Sequence, residues 1–530
     1  MPFTTKEIFQ IFGKTSQSES SMAPPKLNIK PSVLSSPVLV MFDVIVGAMK
    51  AIAPMSAALV VFRIWAYLTG RRKSLLFSRT TLAKRILNLW LVCEALFFLY
   101  CQHVGYKVQA QPDDTKIVKL TKEERRTLFE RCLQTISSPQ EFAETWYRTD
   151  HSFKDLKRGN IVEWLGWGLF HKHNVEKEMD KNELVELEEM VEMFETSCLP
   201  REEPGWKLPP GYNNEALLMK FSEEPVTHTH RPLVMYTAVH FILQELITPI
   251  YLARLGFTRG QFNTLSYQFR AGSDPSKEPL VFIHGLGVGI LPYEQFLRDF
   301  IVKVEDASSP MYGRAILCVE LHAVSQRLLP PELHRDDFVT DMEGIMQQFG
   351  FQNGGIIMGH SYGSFATAWL VHRAPKLVSG LALLDPACMF LHYPNVLFSI
   401  LYKSPQNAHE RFMHYLIREE LFFNAHARRH FFWYANVLFL EDVDTSKTPT
   451  LVVLSEDDFI VPIRPALKYV QEYNGGKRLS GKHSADINEN GKVDLVFLKE
   501  CDHGGFLWMK DHRKTVVSGI EKMVSKLKKP

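Results

Sequence analysis

At 530 residues, with 45 % hydrophobic and 12 % aromatic content, the chain is long enough for more than one folding unit and apolar enough for a large core. A net charge of +2 gives no reason to expect a nucleic-acid partner. Seven cysteines, scattered and odd in number, exclude a disulfide framework, and Cys93, Cys101 and Cys318 lie in apolar runs as buried thiols would.

The first 30 residues are polar and include the run Ser16 to Ser21, which argues against a cleavable signal peptide and predicts a disordered tail over 1–37. From Val38 to Thr69 the chain is almost wholly apolar, broken by Asp43, Lys50 and Arg63. A second apolar run goes from Ile86 to Cys101 with Glu94 inside it. A clean span needs about 20 uninterrupted apolar residues, and neither run supplies them. Between them, Gly70 to Arg85 carries Arg71, Arg72, Lys73, Arg79, Lys84 and Arg85 and no acid, a pattern that favours the cytoplasmic face of a membrane. Residues 38–106 therefore read as membrane-associated helices with a basic loop. They form either two tilted spans with a cytoplasmic loop or a hairpin and amphipathic helix lying in one leaflet, and a soluble helical pair packed against the rest of the chain is the plain alternative. The expected location is a membrane, an endomembrane or lipid droplet, with the remainder facing the cytosol. The absence of any Asn-x-Ser/Thr sequon leans the same way.

Residues 107–260 have the composition of a helical region, with acidic faces such as Glu176 to Glu195. Two greasy amphipathic patches stand out, Arg158 to Phe170 and Pro232 to Phe257, the second interrupted by Pro249. Each fits an acyl tunnel, a bilayer contact or a helix packed on the C-terminal half of the chain.

From Pro279 onward strands and helices alternate, which predicts a mostly parallel sheet covered on both faces. Pro279 to Ile283 is a buried strand that ends in His284-Gly285-Leu286-Gly287. Ala315 to Glu320 is the next strand and His334 to Phe349 the helix after it. Gly355 to Met358 leads into Gly359-His360-Ser361-Tyr362-Gly363, and Ser364 to Val371 reads as helix. A serine on a sharp strand-to-helix turn needs small neighbours, so this pentapeptide reads as a nucleophile elbow with Ser361 as the attacking group. A strand then ends at Asp385-Pro386, where the aspartate alternatively caps a helix. The aromatic-rich stretch 389–442 interrupts the alternation. Thr450 to Leu454 is a strand that places acids at its end, in Ser455-Glu456-Asp457-Asp458-Phe459-Ile460-Val461-Pro462. Asp486 to Asp494 matches the first half of a calcium loop, but the twelfth position is Phe497, so a polar turn is the better account. The last strand, Val493 to Leu498, runs into Lys499-Glu500-Cys501-Asp502-His503, where a base belongs.

The order Ser, Asp, His and these motifs resemble the α/β-hydrolase superfamily in its single-chain lipase and esterase branch, over about half the chain, from Leu265 to the C-terminus. The resemblance implies a triad of Ser361, Asp458 and His503. Asp458 matches the family's D-x-[IL]-V-P acid, Asp385 is a second candidate for that role, and Asp457 is the control. It also implies an oxyanion hole from the backbone N–H groups of Leu286 and Tyr362. His284 reads as tying down its loop, and His360 as a packing or hydrogen-bonding residue rather than a second base. By the same resemblance residues 261–530 form the hydrolase domain and 389–442 a helical cap. Its aromatics suit an acyl chain or form the cap's own core. No cofactor and no metal are implied. The expected function is a membrane-associated serine hydrolase cleaving carboxylic esters, lipid-like and of the acylglycerol kind, with a lipid or other apolar ester and a membrane as its partners. An acyltransferase using the same triad is disfavoured because the residue five after His503 is Trp508 rather than the Asp of an H-x-x-x-x-D pattern. A non-catalytic scaffold is the remaining alternative.

Overall fold

The computed structural model describes residues 36–70, 81–110, 118–148, 152–198, 207–330, 332–403, 411, 414–476, 485–488 and 492–527. The expected tail up to residue 35, residues 71–80 of the basic loop, part of the cap at 404–410 and 412–413, and residues 489–491 of the calcium-like turn lie outside the described residues.

Nine strands form one sheet: β1 Thr258–Phe262, β2 Leu265–Arg270, β3 Leu280–Ile283, β4 Ile316–Glu320, β5 Gly355–His360, β6 Val378–Leu384, β7 Thr450–Ser455, β8 Ala485–Asn488 and β9 Asp494–Leu498. Their order is β1-β2-β4-β3-β5-β6-β7-β9-β8. The central six run parallel, whereas β1, β2 and β8 pair antiparallel at the edges. Parallel strands covered on both faces must be apolar at successive positions, which is why β3, β5, β7 and β9 read as unbroken aliphatic runs. Side chains alternate between the faces. Val281, Ile283, Leu317 and Val319 join one core, and Leu280, Phe282, Ile316 and Cys318 the other. Helices Glu294–Glu305 and Lys510–Ser525 seal the second core through Phe296, Phe300, Val516 and Ile520. Helices Arg335–Gln348, Gly363–Arg373 and Ile463–Tyr473 seal the first.

The first core continues into the upstream region. Within Arg158–Phe170, Trp164, Leu165, Trp167, Leu169 and Phe170 are buried in the cluster that also holds Phe431, Phe432 and Tyr434 of the insertion. Trp433 Nε1 donates to Gly168 O at 2.7 Å. Of the three readings of this patch, the structure takes the plain one: it is packed against protein. Among the described residues of the insertion, Phe423, Phe431, Phe432, Tyr434 and Phe439 are likewise buried in this core. Three expected boundaries fall inside elements, because helix Ser36–Leu68 starts before residue 38, helix Leu82–Ala110 runs past residue 106 and β1 starts before residue 261.

Among the described residues two helices are long and apolar enough to cross a membrane, Val44–Leu68 and Leu233–Arg254. The first lies within Ser36–Leu68, which packs along Leu82–Ala110 as a hairpin. The awkward charge in the second hairpin helix is turned inward: Glu94 is buried, accepts from Leu233 N–H at 2.8 Å and faces His230 at 3.4 Å. Cys93 is only half-buried, unlike the other six thiols. Pro249 does not interrupt its segment. Residues Thr237–Ile247 are wound as π-helix and Pro249 follows directly, in Thr248–Arg254. A proline ring clashes with the carbonyl four residues back in an α-helix, and the wider turn relieves that clash.

Candidate active site

The elbow between β5 and helix Gly363–Arg373 holds Ser361 at φ +51°, a left-handed conformation that costs a residue bearing a Cβ about 1–3 kcal/mol. The flanking glycines are dictated by close approach. A Cβ on Gly359 would meet Thr367 Oγ1 and, at 2.7 Å, Gly363 O. One on Gly363 would meet Ile283 O and, at 2.8 Å, His284 O. Backbone bonds pin the turn, with Ser361 N–H donating to Leu384 O at 3.0 Å and Cys388 N–H to Ser364 Oγ at 3.1 Å.

Ser361 Oγ lies 2.7 Å from His503 Nε2, and His503 Nδ1 lies 2.6 Å from Asp458 Oδ2. The carboxylate sets the tautomer: Nδ1–H donates to Asp458, so Nε2 is left to accept the serine proton. The other oxygen, Asp458 Oδ1, accepts from Ile460 N–H at 2.7 Å and Val461 N–H at 2.9 Å, which holds the carboxylate in orientation. Burial alone would lower the His503 ring, but the Asp458 charge and hydrogen bond, with Asp385 behind them, lift it to about 9. The arrangement can therefore take a proton from Ser361 and hold the imidazolium that results.

Asp385 sits beside this chain without joining it. Its oxygens accept from Ser455 Oγ at 2.8 Å and Gly504 N–H at 2.8 Å, and burial, then the Asp458 charge, push its carboxyl up to about 7. Asp385, Asp458 and His503 offer ligand atoms within 4.8 Å of one another. Hydrogen bonds within the site account for all three groups. Asp457, the control position, donates its N–H to Cys501 O and is not bonded to the histidine.

The loop after β3 lies against the nucleophile: a Cβ on Gly285 would stand 3.0 Å from Ser361 Cβ and 3.1 Å from His360 O. Among the described residues the N–H groups of Leu286 and Tyr362 make no turn or loop hydrogen bond to backbone. His284 fixes the loop from below. Its Nδ1–H donates to Gly285 O at 2.7 Å, its Nε2 accepts from Leu321 N–H at 2.9 Å, and burial lowers the ring to about 4. His360 is kept neutral by burial and by the His503 ring beside it; its Nδ1 is bonded to Tyr293 OH at 2.8 Å.

Two supporting residues carry no signal in the sequence. Tyr293 OH accepts from Gly285 N–H at 2.8 Å and so links the β3 loop to His360. His426, on helix Leu421–Arg429 of the insertion, is hydrogen-bonded through Nε2 to Tyr362 OH at 2.6 Å and ties that insertion to the elbow. Neither lies in a motif, and only the folded chain brings them to the site.

Residues 278–412 match the family model described as alpha/beta hydrolase fold. No curated protein matches the chain in sequence. Among solved structures, the chain is similar to a bacterial membrane phospholipase A, at 15 % identity over 54 % of this chain and 95 % of that one, with a TM-score of 0.34. A carboxylesterase structure from the thaumarchaeon Nitrososphaera gargenis is matched at 15 % identity over 51 % and 99 %, TM-score 0.36. The naproxen esterase of Bacillus subtilis is matched at 15 % over 50 % and 90 %, TM-score 0.31. Likeness this distant carries no argument about reaction or substrate.

Proposed function

On the premise that this chain has an α/β-hydrolase fold, we propose that it is a membrane-associated serine hydrolase that cleaves carboxylic esters of lipid-like substrates through an acyl-enzyme. The observation that carries the reading is the hydrogen-bonded chain Ser361–His503–Asp458 on a glycine-flanked turn. In this mechanism His503 takes the Ser361 proton as the oxygen attacks the ester carbonyl, and Asp458 holds the imidazolium. The N–H groups of Leu286 and Tyr362 receive the oxyanion. His503 then protonates the leaving alcohol, and water repeats the sequence to release the acid. An apolar substrate is supported by the long exposed apolar helices attached to the same body.

The test is labelling of the detergent-solubilised full chain with a fluorophosphonate probe, wild type beside Ser361→Ala and His503→Ala, followed by p-nitrophenyl esters of rising chain length. Labelling lost in both variants, with turnover that climbs toward long chains, is the expected result. An unlabelled wild type would overturn the serine assignment and favour a non-catalytic scaffold.

A further inference from the structure

Helix Leu233–Arg254 is amphipathic the wrong way round for a protein surrounded by water. Its inward stripe, spaced by four, is Tyr236, His240, Gln244, Thr248 and Leu252. Four of the five carry a polar group, and two of these are bonded to the body: Tyr236 OH donates to Glu420, and Gln244 Nε2 donates to Ser325 O. The opposite stripe, also spaced by four, is Val234, Ala238, Ile242, Leu246 and Ile250, flanked by Phe241 and Ile247. The large members of this outer face are 45–54 % exposed. Residues four apart drift around a helix of 3.6 residues per turn. The π-wound stretch Thr237–Ile247 offsets that drift, so both stripes stay straight along the whole length. A helix bound to a protein in water turns its apolar stripe to the core. Here the polar stripe faces the core and the apolar one faces outward.

We propose that this outer face is a membrane-seating surface, and that the helix lies in the plane of one leaflet instead of crossing it. The occupant is lipid for two reasons. The surface is continuous with the apolar hairpin, since Glu94 of Leu82–Ala110 accepts from Leu233 N–H, Phe97 packs on Tyr236 with ring centres 5.5 Å apart, and the hairpin's own Leu89, Leu96 and Leu99 are exposed. The helix is also held at its centre and its end by the sheet-bearing body, which would have to enter the bilayer with it if the helix crossed. Its start is held by Glu94, its centre by Ser325 and its end by Tyr251, which donates to Glu294, and by Leu252 in the second core. An in-plane helix buries its apolar face about 5–10 Å into the headgroup and acyl boundary. The seat lies next to the oxyanion loop, because Gln244 stands 3.9 Å from where a Cβ on Gly289 would be, and Gly287 N–H donates to Val324 O within the loop that Gln244 holds. The inference does not depend on the reaction proposed above.

The experiment uses the full chain carrying Cys93→Ser, which removes the half-buried thiol, reconstituted in phosphatidylcholine vesicles. Variants that add one exposed cysteine to this background, Ile242→Cys, Leu246→Cys or Ile250→Cys, each carry a fluorophore there, the six remaining native thiols being buried and the Cys93→Ser parent giving the labelling background, and nitroxide lipids quench it from near the headgroup or from the acyl-chain end. Lys447→Cys, exposed ahead of the N-terminal end of β7, is the control. The expected result is stronger quenching by the headgroup-side nitroxide at all three positions, with the same ratio at each, and none at the control. A crossing helix rises about 1.5 Å per residue, so residues 242 and 250 would differ in depth by about 12 Å; such a gradient would overturn the in-plane assignment. Quenching no greater than at the control would show that protein, rather than lipid, meets this face, and would overturn the proposal.

Discussion

Replacing Asp458 with Asn tests the proposed mechanism at its most specific point. Two backbone N–H groups hold Oδ1 as an acceptor, at 2.7 and 2.9 Å from Ile460 N and Val461 N. In Asp458→Asn the amide oxygen keeps that place, so the NH2 group takes the Oδ2 position, 2.6 Å from His503 Nδ1. It can only donate there, which forces Nδ1 to accept and puts the ring proton on Nε2, facing Ser361. That tautomer cannot take the serine proton. The loss in such a site is about 10⁴-fold in kcat, or about 5.5 kcal/mol at 1.36 kcal/mol per tenfold. The pH profile should move as well. Wild-type kcat/KM rises as the ring becomes neutral, through a limb lifted above the ordinary histidine value toward about 9. Without the carboxylate, burial is the dominant influence and the limb moves down. The assay is kcat/KM against pH with a p-nitrophenyl ester, on protein shown by circular dichroism to be folded. A loss under about tenfold with an unmoved limb would refute the assignment.

Asp385→Asn is expected to keep activity within about tenfold, because the group touches Gly504 N–H and Ser455 rather than the histidine; if it abolishes activity while Asp458→Asn does not, the acid is Asp385. Its effect on stability has a definite sign. A carboxyl raised from the ordinary value to about 7 binds more protons folded than unfolded between those values, so it makes the wild type less stable as pH rises through that window. Asp385→Asn should therefore raise Tm relative to wild type more at pH 8 than at pH 4, read by scanning calorimetry. Gly363→Ala places a Cβ against the carbonyls of Ile283 and His284, backbone atoms with no freedom to yield, and should cost about 1–3 kcal/mol of stability; an unchanged urea midpoint would contradict the packing. Tyr362→Phe strips the buried His426 Nε2 of its partner, at a cost of about 1–3 kcal/mol, and should loosen the insertion near the elbow. Hydrogen exchange of helix Leu421–Arg429 measures it, and unaltered protection would sink the link.

The sequence alone determined the local chemistry. Ser361 between glycines, the His284-Gly285-Leu286-Gly287 loop and the strand ends carrying Asp458 and His503 are each written in a few adjacent residues, because a tight turn or a strand covered on both faces restricts which side chains fit at each place. Tertiary structure decided what local pattern leaves open. Asp385 and Asp458 both follow buried strands, and only the folded sheet brings one to His503 and the other to Gly504 N–H. The patches Arg158–Phe170 and Leu233–Arg254 look alike as strings of apolar residues, yet one is enclosed by the insertion's aromatics and the other turns its apolar stripe outward. Hydrophobic periodicity reports that a helix has two faces. Which face meets protein and which meets the surroundings depends on contacts between residues far apart in the chain, as when Tyr362 finds His426 or Leu233 finds Glu94.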